Sequence, residues 1–393
     1  MKKILKVVFV LLLLAVAGAA IFIATFDADR YRPTLIHRME SALGRPVQLQ
    51  RISLGWRGGI SLELQGLEIK PAVRVEKAGA LLRLRPLLKG DLQLGSVVVT
   101  GLNAKIVRSS NGAIELEGTP PPPTQASTAP APASHPAPAV KAAPLLIQRI
   151  QVTQGTLSFT DLSAQPPIHL TVEDLELEAS LHGDQLDLKK LTCRFIQAGQ
   201  PALQGRLSAS FNGTFQQALV GQGRIHVEDA RLEGINLLRE VFSRLTVISG
   251  LTETLMSQLP ESYAEKFNAK DTLFQPIDLQ VKTDPQEISF ENVRLGTDTF
   301  QLGGSGRFGL KGTLQFPAQI QVEPQLSAAL IRSVKELKFL ADEQGRLTFP
   351  ILLQGDLPQV SVLPDLNYLT QRLVSSKGEE LIGSLLDRVL KKD

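Results

Sequence analysis

The chain has 393 residues, two to three times an ordinary domain, which calls for two or three domains or one elongated body. Its 42 Lys and Arg against 39 Asp and Glu leave a formal charge of +3, no electrostatic footprint for nucleic acid, and three Tyr with one Trp are too few for a stacking surface. One Cys excludes an internal disulfide and any multi-cysteine metal site, and five scattered His leave little material for a metal centre, so no cofactor is expected.

Lys2, Lys3 and Lys6 precede an uncharged run from Val7 to Phe26. As a helix that run is about 30 Å long, the thickness of a bilayer's hydrocarbon core. Ala17-Gly18-Ala19 has the small-residue look of a signal-peptidase site, but the apolar stretch continues through Ala24, longer than a cleavable segment needs. Residues 7–26 therefore read as an uncleaved transmembrane anchor. Arg30, Arg32 and Arg38 balance the lysines before it, and the short basic tail of residues 1–6 decides for a cytoplasmic N-terminus with the bulk of the chain outside. A short helix comes next: Asp29 can cap it, Pro33 suits its first turn, Leu35, Ile36, Met39 and Leu43 share a face, and Gly44 can stop it.

Period-two alternation then dominates residues 27–118 and again 145–362, predicting a mainly β fold, with Asn-Gly at 111 and 212 suited to tight hairpins. Between these modules, residues 119–144 hold nine prolines in 26 positions and read as an extended linker, with PxxP recognition as the functional alternative. Helical periodicity is confined to a few places. One is Ile235 to about Leu259; another is the tail, 363–393, where Leu381, Ile382, Leu385, Leu386, Val389 and Leu390 form a stripe. That tail can cover the last strands or touch a membrane or partner.

A particular pattern recurs along both modules: two alternating apolar positions, two adjacent non-apolar residues, then two more alternating apolar positions. It occurs at Leu62, Leu64, Leu67 and Ile69; at Leu92, Leu94, Val97 and Val99; at Leu145, Ile147, Ile150 and Val152; and at Leu170, Val172, Leu175 and Leu177. It returns at Leu186, Leu188, Leu191 and Cys193; at Ile225, Val227, Ala230 and Leu232; and at Ile288, Phe290, Val293 and Leu295. The intervening pair is a β-bulge, which bends a strand while returning its apolar side chains to the same face. Repeated bends predict a curled antiparallel sheet whose apolar face is either closed by its own side chains or open as a groove to an apolar ligand. The apolar positions above are the candidate groove lining.

The residues Asp29-Arg30-Tyr31-Arg32-Pro33, Gly44-Arg45-Pro46-Val47, Leu62 to Ile69, Arg85-Pro86-Leu87-Leu88-Lys89-Gly90-Asp91-Leu92, Gly101-Leu102 and Asn111-Gly112 follow the anchor in order. Together they resemble the N-terminal region of AsmA-like proteins over most of residues 1–117. Glu228-Asp229-Ala230-Arg231-Leu232-Glu233-Gly234-Ile235 and Gly304-Ser305-Gly306-Arg307 are similar in style but less specific. The resemblance implies a Gram-negative inner-membrane anchor and a periplasmic repeating β-groove, related to TamB-type and bridge-like lipid transfer proteins. It also implies phospholipid acyl chains as ligands and a role in supporting the outer membrane. About twenty strands would extend only roughly 95 Å, shorter than a periplasm-spanning bridge needs, so a shuttle, an oligomer or an accessory of membrane assembly all fit. The alternative to lipid transport is a structural or adaptor protein that binds other envelope proteins.

Signals for an enzyme are weak. Gly304-Ser305-Gly306-Arg307-Phe308-Gly309 spells G-x-G-x-x-G, but its surroundings read as hairpin with no following helix, and G-x-S-x-G, C-x-x-C and H-E-x-x-H are absent. Gly-Arg recurs at Gly205, Gly223 and Gly345 as a strand entry. Cys193 reads as a small buried hydrophobe, His169, His182 and His226 as surface or hydrogen-bonded residues, and Glu173-Asp174 and Glu228-Asp229 as solvated bulge residues. No catalytic or metal-binding residue is expected.

Overall fold

The computed structural model describes residues 27–56, 60–82, 94–118, 148–199, 201–215, 218–243, 260–309, 312–356 and 359–372. The basic tail and anchor (1–26), the linker (119–144), Leu92, Leu145, Ile147, residues 244–259 of the expected helix and residues 373–393 of the tail lie outside the described residues. Among the described residues no helix is long and apolar enough to cross a membrane. They contain 18 strands and a few short helices, a mainly β fold as the alternation predicts. The chain separates into two compact units, Met1–Thr160 with Val172–Asp184, and Asp161–Thr171 with Gln185–Asp393.

In the first unit β1 (Val47–Gln48) and β2 (Arg51–Trp56) both run antiparallel to β3 (Ile60–Ile69). β3 pairs with β4 (Val73–Leu82), β4 with β5 (Leu94–Arg108), and β5 with the short β6 (Ile114–Leu116). β5 also pairs with β7 (Arg149–Asp161), next to β8 (Ile168–His182), where the Leu181 amide donates to the Gln148 carbonyl. The Asn111-Gly112 turn forms as expected: the Asn111 side chain accepts from the Ala113 amide at 2.9 Å, and Gly112 takes φ 85°.

Ahead of these strands a 3-10 turn (Ala28–Tyr31) leads into α1 (Arg32–Leu43), which stops at Gly44 in the left-handed region. Asp27 caps the turn, accepting from the Asp29 amide at 3.1 Å, not Asp29 as expected. Asp29 instead accepts from the Ile52 amide at 3.0 Å and ties the helix to β2. Arg45 donates to the carbonyls of Leu116 and Glu117 at 3.0 and 2.9 Å, joining the start of the unit to its β6 end. That anchorage accounts for one arginine of the Gly44-Arg45-Pro46-Val47 motif.

In the second unit β9 (Gln185–Ala198), β10 (Ala202–Phe215) and β11 (Leu219–Glu233) form a long antiparallel meander. After α2 (Leu237–Ser243) and α3 (Glu261–Asn268), the short β12 (Thr272–Leu273) and then β13 (Ile277–Thr283) return to β11. The antiparallel order continues through β14 (Glu287–Gly296), β15 (Phe300–Gly309) and β16 (Thr313–Val322). A helix, α4 (Pro324–Ser333), and a 3-10 turn (Lys335–Leu340) intervene before β17 (Thr348–Asp356) and β18 (Gln359–Pro364), and residues 366–372 are helical. Asn212-Gly213, expected at a hairpin tip, lies inside β10 opposite Gln222 and Gly221. Close packing of the two strands explains it: a Cβ on Gly213, Gly221 or Gly223 would come within 2.4, 2.3 or 2.6 Å of a carbonyl oxygen on the neighbouring strand, and within 2.7, 2.8 or 2.9 Å of Phe211 carbons.

The phase slips are visible as backbone. Gly66, Gly101, Gln154, Asp174, Asp229 and Asn292 stand in strands with φ between 51° and 65°, and the cross-strand register shifts at Lys189-Lys190, at Gly95, near Asp229 and at Glu291-Asn292. Four of the left-handed residues are the second of an expected pair; Gly101 and Gln154 are additional. Gly, Asn and Asp are the residues that reach this region at least cost; nothing in the structure explains Gln154. In the first unit Gln65, Lys77 and Thr100 oppose one another in turn, and Thr100 meets Thr153 through their hydroxyls at 3.1 Å. The left-handed residues Gly66, Gly101 and Gln154 of β3, β5 and β7 therefore fall at one level, which keeps the apolar rows aligned on both sides of it. Asp174 is exposed and left-handed, so Asp174→Val is expected to destabilise by about 1–2 kcal/mol, the cost of placing a β-branched residue there. Asp174→Gly should change stability by no more than a few tenths, read as shifts in the thermal midpoint.

Candidate functional site

Within each unit, cross-strand registers assemble the apolar positions into rows on one face. In the first unit Leu62 opposes Leu54 and Ala80, with Val97 beyond; Leu64 opposes Ile52 and Ala78, with Val99 beyond; Leu67 opposes Val75, and Ile69 opposes Val47 and Val73. Ala28, Leu35 and Ile36 of the N-terminal helical segment pack here against Leu49 and Ile52, together with Leu54, Leu62, Leu64 and Leu67. Val97 and Val99 are half-buried, and Leu94 begins β5 opposite Leu82. On β7 and β8, Val152 and Leu175 are buried, while Ile150, Leu170, Val172 and Leu177 are half-buried.

In the second unit the rows cross more strands. Leu188, Phe211, Gly223, Val281 and Phe290 oppose one another in succession; so do Leu191, Ala209, Ile225 and Leu279, and Cys193, Leu207, Val227 and Ile277. Leu186 opposes Gly213, Leu232 opposes Leu203, Ile288 opposes Phe308, Val293 opposes Gly304 and Leu295 opposes Leu302. The face thus includes Leu207, Ala209 and Phe211 of β10 and Ile277, Leu279 and Val281 of β13, which the doubled pattern does not pick out. Their signal is plain alternation, because these strands carry no bulge of their own.

What covers this face changes along it. On β14 to β17, Val293, Leu302, Ile320, Phe349 and Ile351 form one buried cluster with Leu238 and Phe242 of α2, Phe267 of α3, Leu326 and Leu330 of α4, and Leu369. Phe242 is the hub, 5.7 Å from the Phe267 ring and 5.9 Å, edge on, from Phe349. Asn236 fixes the helices by donating its amide to the carbonyls of Lys266 and Ala269, and Glu323 caps α4 through the Gln325 and Leu326 amides. On β9 to β11 the state is different: Leu186, Leu188, Leu191, Leu207, Ala209, Phe211 and Ile225 are all half-buried. A small buried cluster of Val227, Ala230 and Ile277, with Phe195, Phe274 and Leu295 against it, marks the passage between the two regions.

The opposite face is polar. His226 meets Asp278 at 2.7 Å and Glu228 at 3.4 Å, and these hydrogen bonds raise its pKa above the ordinary histidine value. Arg206 bridges Glu228 at 3.4 Å and Asp229 at 2.6 Å, so the acidic pair at the bulge serves as a strand-to-strand tie. His169 and His182 are exposed. Cys193 is half-buried in its apolar row, and burial pushes its thiol up, away from the reactive thiolate.

The Gly304–Gly309 motif lies within β15, paired to β14 and β16, and presents no helix N-terminus to a pyrophosphate. A Cβ on Gly306 would come within 2.4 Å of the Phe316 ring, so this glycine serves packing. Gly205 and Gly223 likewise lie inside strands and are not strand entries, while Gly345 occupies a turn at φ 75°. Among the described residues no group of three or more His, Cys, Asp or Glu side chains could hold a metal ion.

These features define a β-sheet protein whose apolar side chains form rows within each unit, bulged at repeated positions. The AsmA family's sequence profile matches residues 1–240, more than half of the chain and as far as α2, and the chain belongs to the AsmA family. That is a family of envelope proteins implicated in outer-membrane biogenesis. Comparison with curated proteins and with solved structures finds no match.

Proposed function

We propose that the chain binds phospholipid acyl chains on the apolar face of β9 to β11 and conducts them between membranes of the cell envelope, with residues 7–26 anchoring it in the inner membrane. The observation that carries this reading is the contrast along one face of the second unit. Where helices lie over β14 to β17, Val293, Leu302, Ile320, Phe349 and Ile351 are buried, with Phe290 and Leu295 half-buried beside them; on β9 to β11 only Val227 and Ala230 of the apolar rows are buried, and Leu186, Leu188, Leu191, Leu207, Ala209, Phe211 and Ile225 are half-buried. Each leucine held half-exposed forgoes roughly 1 kcal/mol of burial, a cost repeated along three strands and offset when an apolar ligand lies on them. Contiguous apolar surface of this kind marks an interaction site. Repeated bulges bend the strands toward a trough, which suits an extended chain better than a flat partner.

The test is extraction of lipid from the full chain purified from its membrane in a detergent without phosphate, after extensive exchange. Phospholipid retained in stoichiometric amount, and reduced in a Leu188→Asp variant, is the expected result. Reproducible absence of phospholipid overturns the reading in favour of an adaptor whose apolar face binds other envelope proteins.

A further inference from the structure

The polar side of the same strands contains a basin of about 760 Å³ spanning β9, β10, β11, β13 and β14. Register fixes its floor. Lys189 and Lys190 are the doubled residues of the β9 bulge, and the single residue between their flanking partners is Ser210; Ser210 opposes Arg224, which opposes Gln280. One row away Thr192, Ser208, His226 and Asp278 succeed one another across the strands, and Arg294 stands on β14. Two lysines and an arginine thus occupy neighbouring positions with only a serine between them, an arrangement that costs energy through like-charge repulsion.

Lys190 has a partner of its own, but the basin's acids do not relieve the other cations. Asp278 is engaged by His226 at 2.7 Å and Glu291 by Lys282 at 2.7 Å, while Lys189, Arg224 and Arg294 have no carboxylate partner among the described residues. β9 and β11 are two strand spacings apart, about 9.5 Å, a gap that long cationic side chains close around a small anion. Hydroxyls of Thr192, Ser208 and Ser210 add donors between the charges.

We propose that this basin binds a phosphate group, with Lys189, Lys190 and Arg224 donating charge-assisted hydrogen bonds to its oxygens and Arg294 closing the rim. The phosphate is supplied either by a phospholipid headgroup or by free phosphate. The polar residues of the basin alternate along the strands with Leu191, Ala209, Ile225 and Leu279, which also border it; its phosphate chemistry stands without the acyl-chain reading.

The experiment is isothermal titration of the full chain, in nonionic detergent and phosphate-free buffer, with inorganic phosphate and separately with glycerophosphoglycerol, a lipid headgroup without acyl chains. Saturable binding of at least one probe is expected, weakened tenfold or more in the Lys189→Gln, Arg224→Gln double variant. Stronger binding of glycerophosphoglycerol supports the headgroup source, and stronger binding of inorganic phosphate supports the free anion. Lys77→Gln, in the other unit, should change affinity less than twofold. No saturable binding by either probe, binding that the double variant leaves unchanged, or an equal loss in Lys77→Gln overturns the proposal. Arg294→Gln alone, expected to weaken binding severalfold, provides a second reading should the double variant fold poorly. Because neither probe carries an acyl chain, failure here leaves the apolar-face reading untouched.

Discussion

Val293→Asp is expected to unfold the second unit or to lower its stability by about 3–5 kcal/mol, the loss that follows an uncompensated buried charge. Val293 is 5% exposed, belongs to the cluster that helices α2, α3 and α4 close, and faces Gly304, which has no side chain to rearrange around a carboxylate. The new carboxyl would therefore remain unpaired or take up a proton and still be buried without full hydrogen bonding. The measurement is protease resistance and thermal unfolding of the full chain. Arg294, one residue on, is exposed and points to the other face, so Arg294→Gln should change stability by no more than about 0.5 kcal/mol. Equal damage from both variants would show that the faces are assigned in the wrong register.

The sequence pattern treats Val293 and Leu188 alike, since both stand beside a bulge pair in the same repeat. Face and bulge are legible because alternation and its slip are local: the pairs at Gly66, Asp174, Asp229 and Asn292 coincide with left-handed backbone. Which part of a face is covered is a long-range matter. The cluster in which Val293 is buried includes Phe242, Phe267, Leu330 and Leu369, on segments far apart in the chain, and no periodicity links them to β14. Turn chemistry is legible only when nothing competes: Asn111-Gly112 makes its turn, whereas Asn212-Gly213 is drawn into β10, where the glycine allows close approach of the β11 backbone and of Phe211. The phosphate basin escapes sequence reading for a similar reason, because Lys189, Lys190 and Arg224 become neighbours only through the β9–β10–β11 register.

Leu188→Asp is expected to give the opposite phenotype to Val293→Asp: a folded, protease-resistant chain that no longer crosslinks to phospholipid. Leu188 is half-buried opposite Phe211, away from the helix-covered cluster, so an aspartate there keeps access to water and loses only the partial burial of leucine. The same carboxylate placed in the path of an acyl chain has to be desolvated whenever a chain passes, at a cost of several kcal/mol. A difference of that size lowers occupancy by a hundredfold or more, since each 1.4 kcal/mol is a factor of ten. The measurement pairs thermal unfolding with crosslinking from a photoreactive residue at Ile225, which lies one row from Leu188 on β11. Crosslinking that persists in a folded Leu188→Asp chain would mean that lipid does not travel along these rows. Loss of the fold would mean that β9 to β11 are closed over by a part of the chain, and that their leucines serve stability as Val293 does.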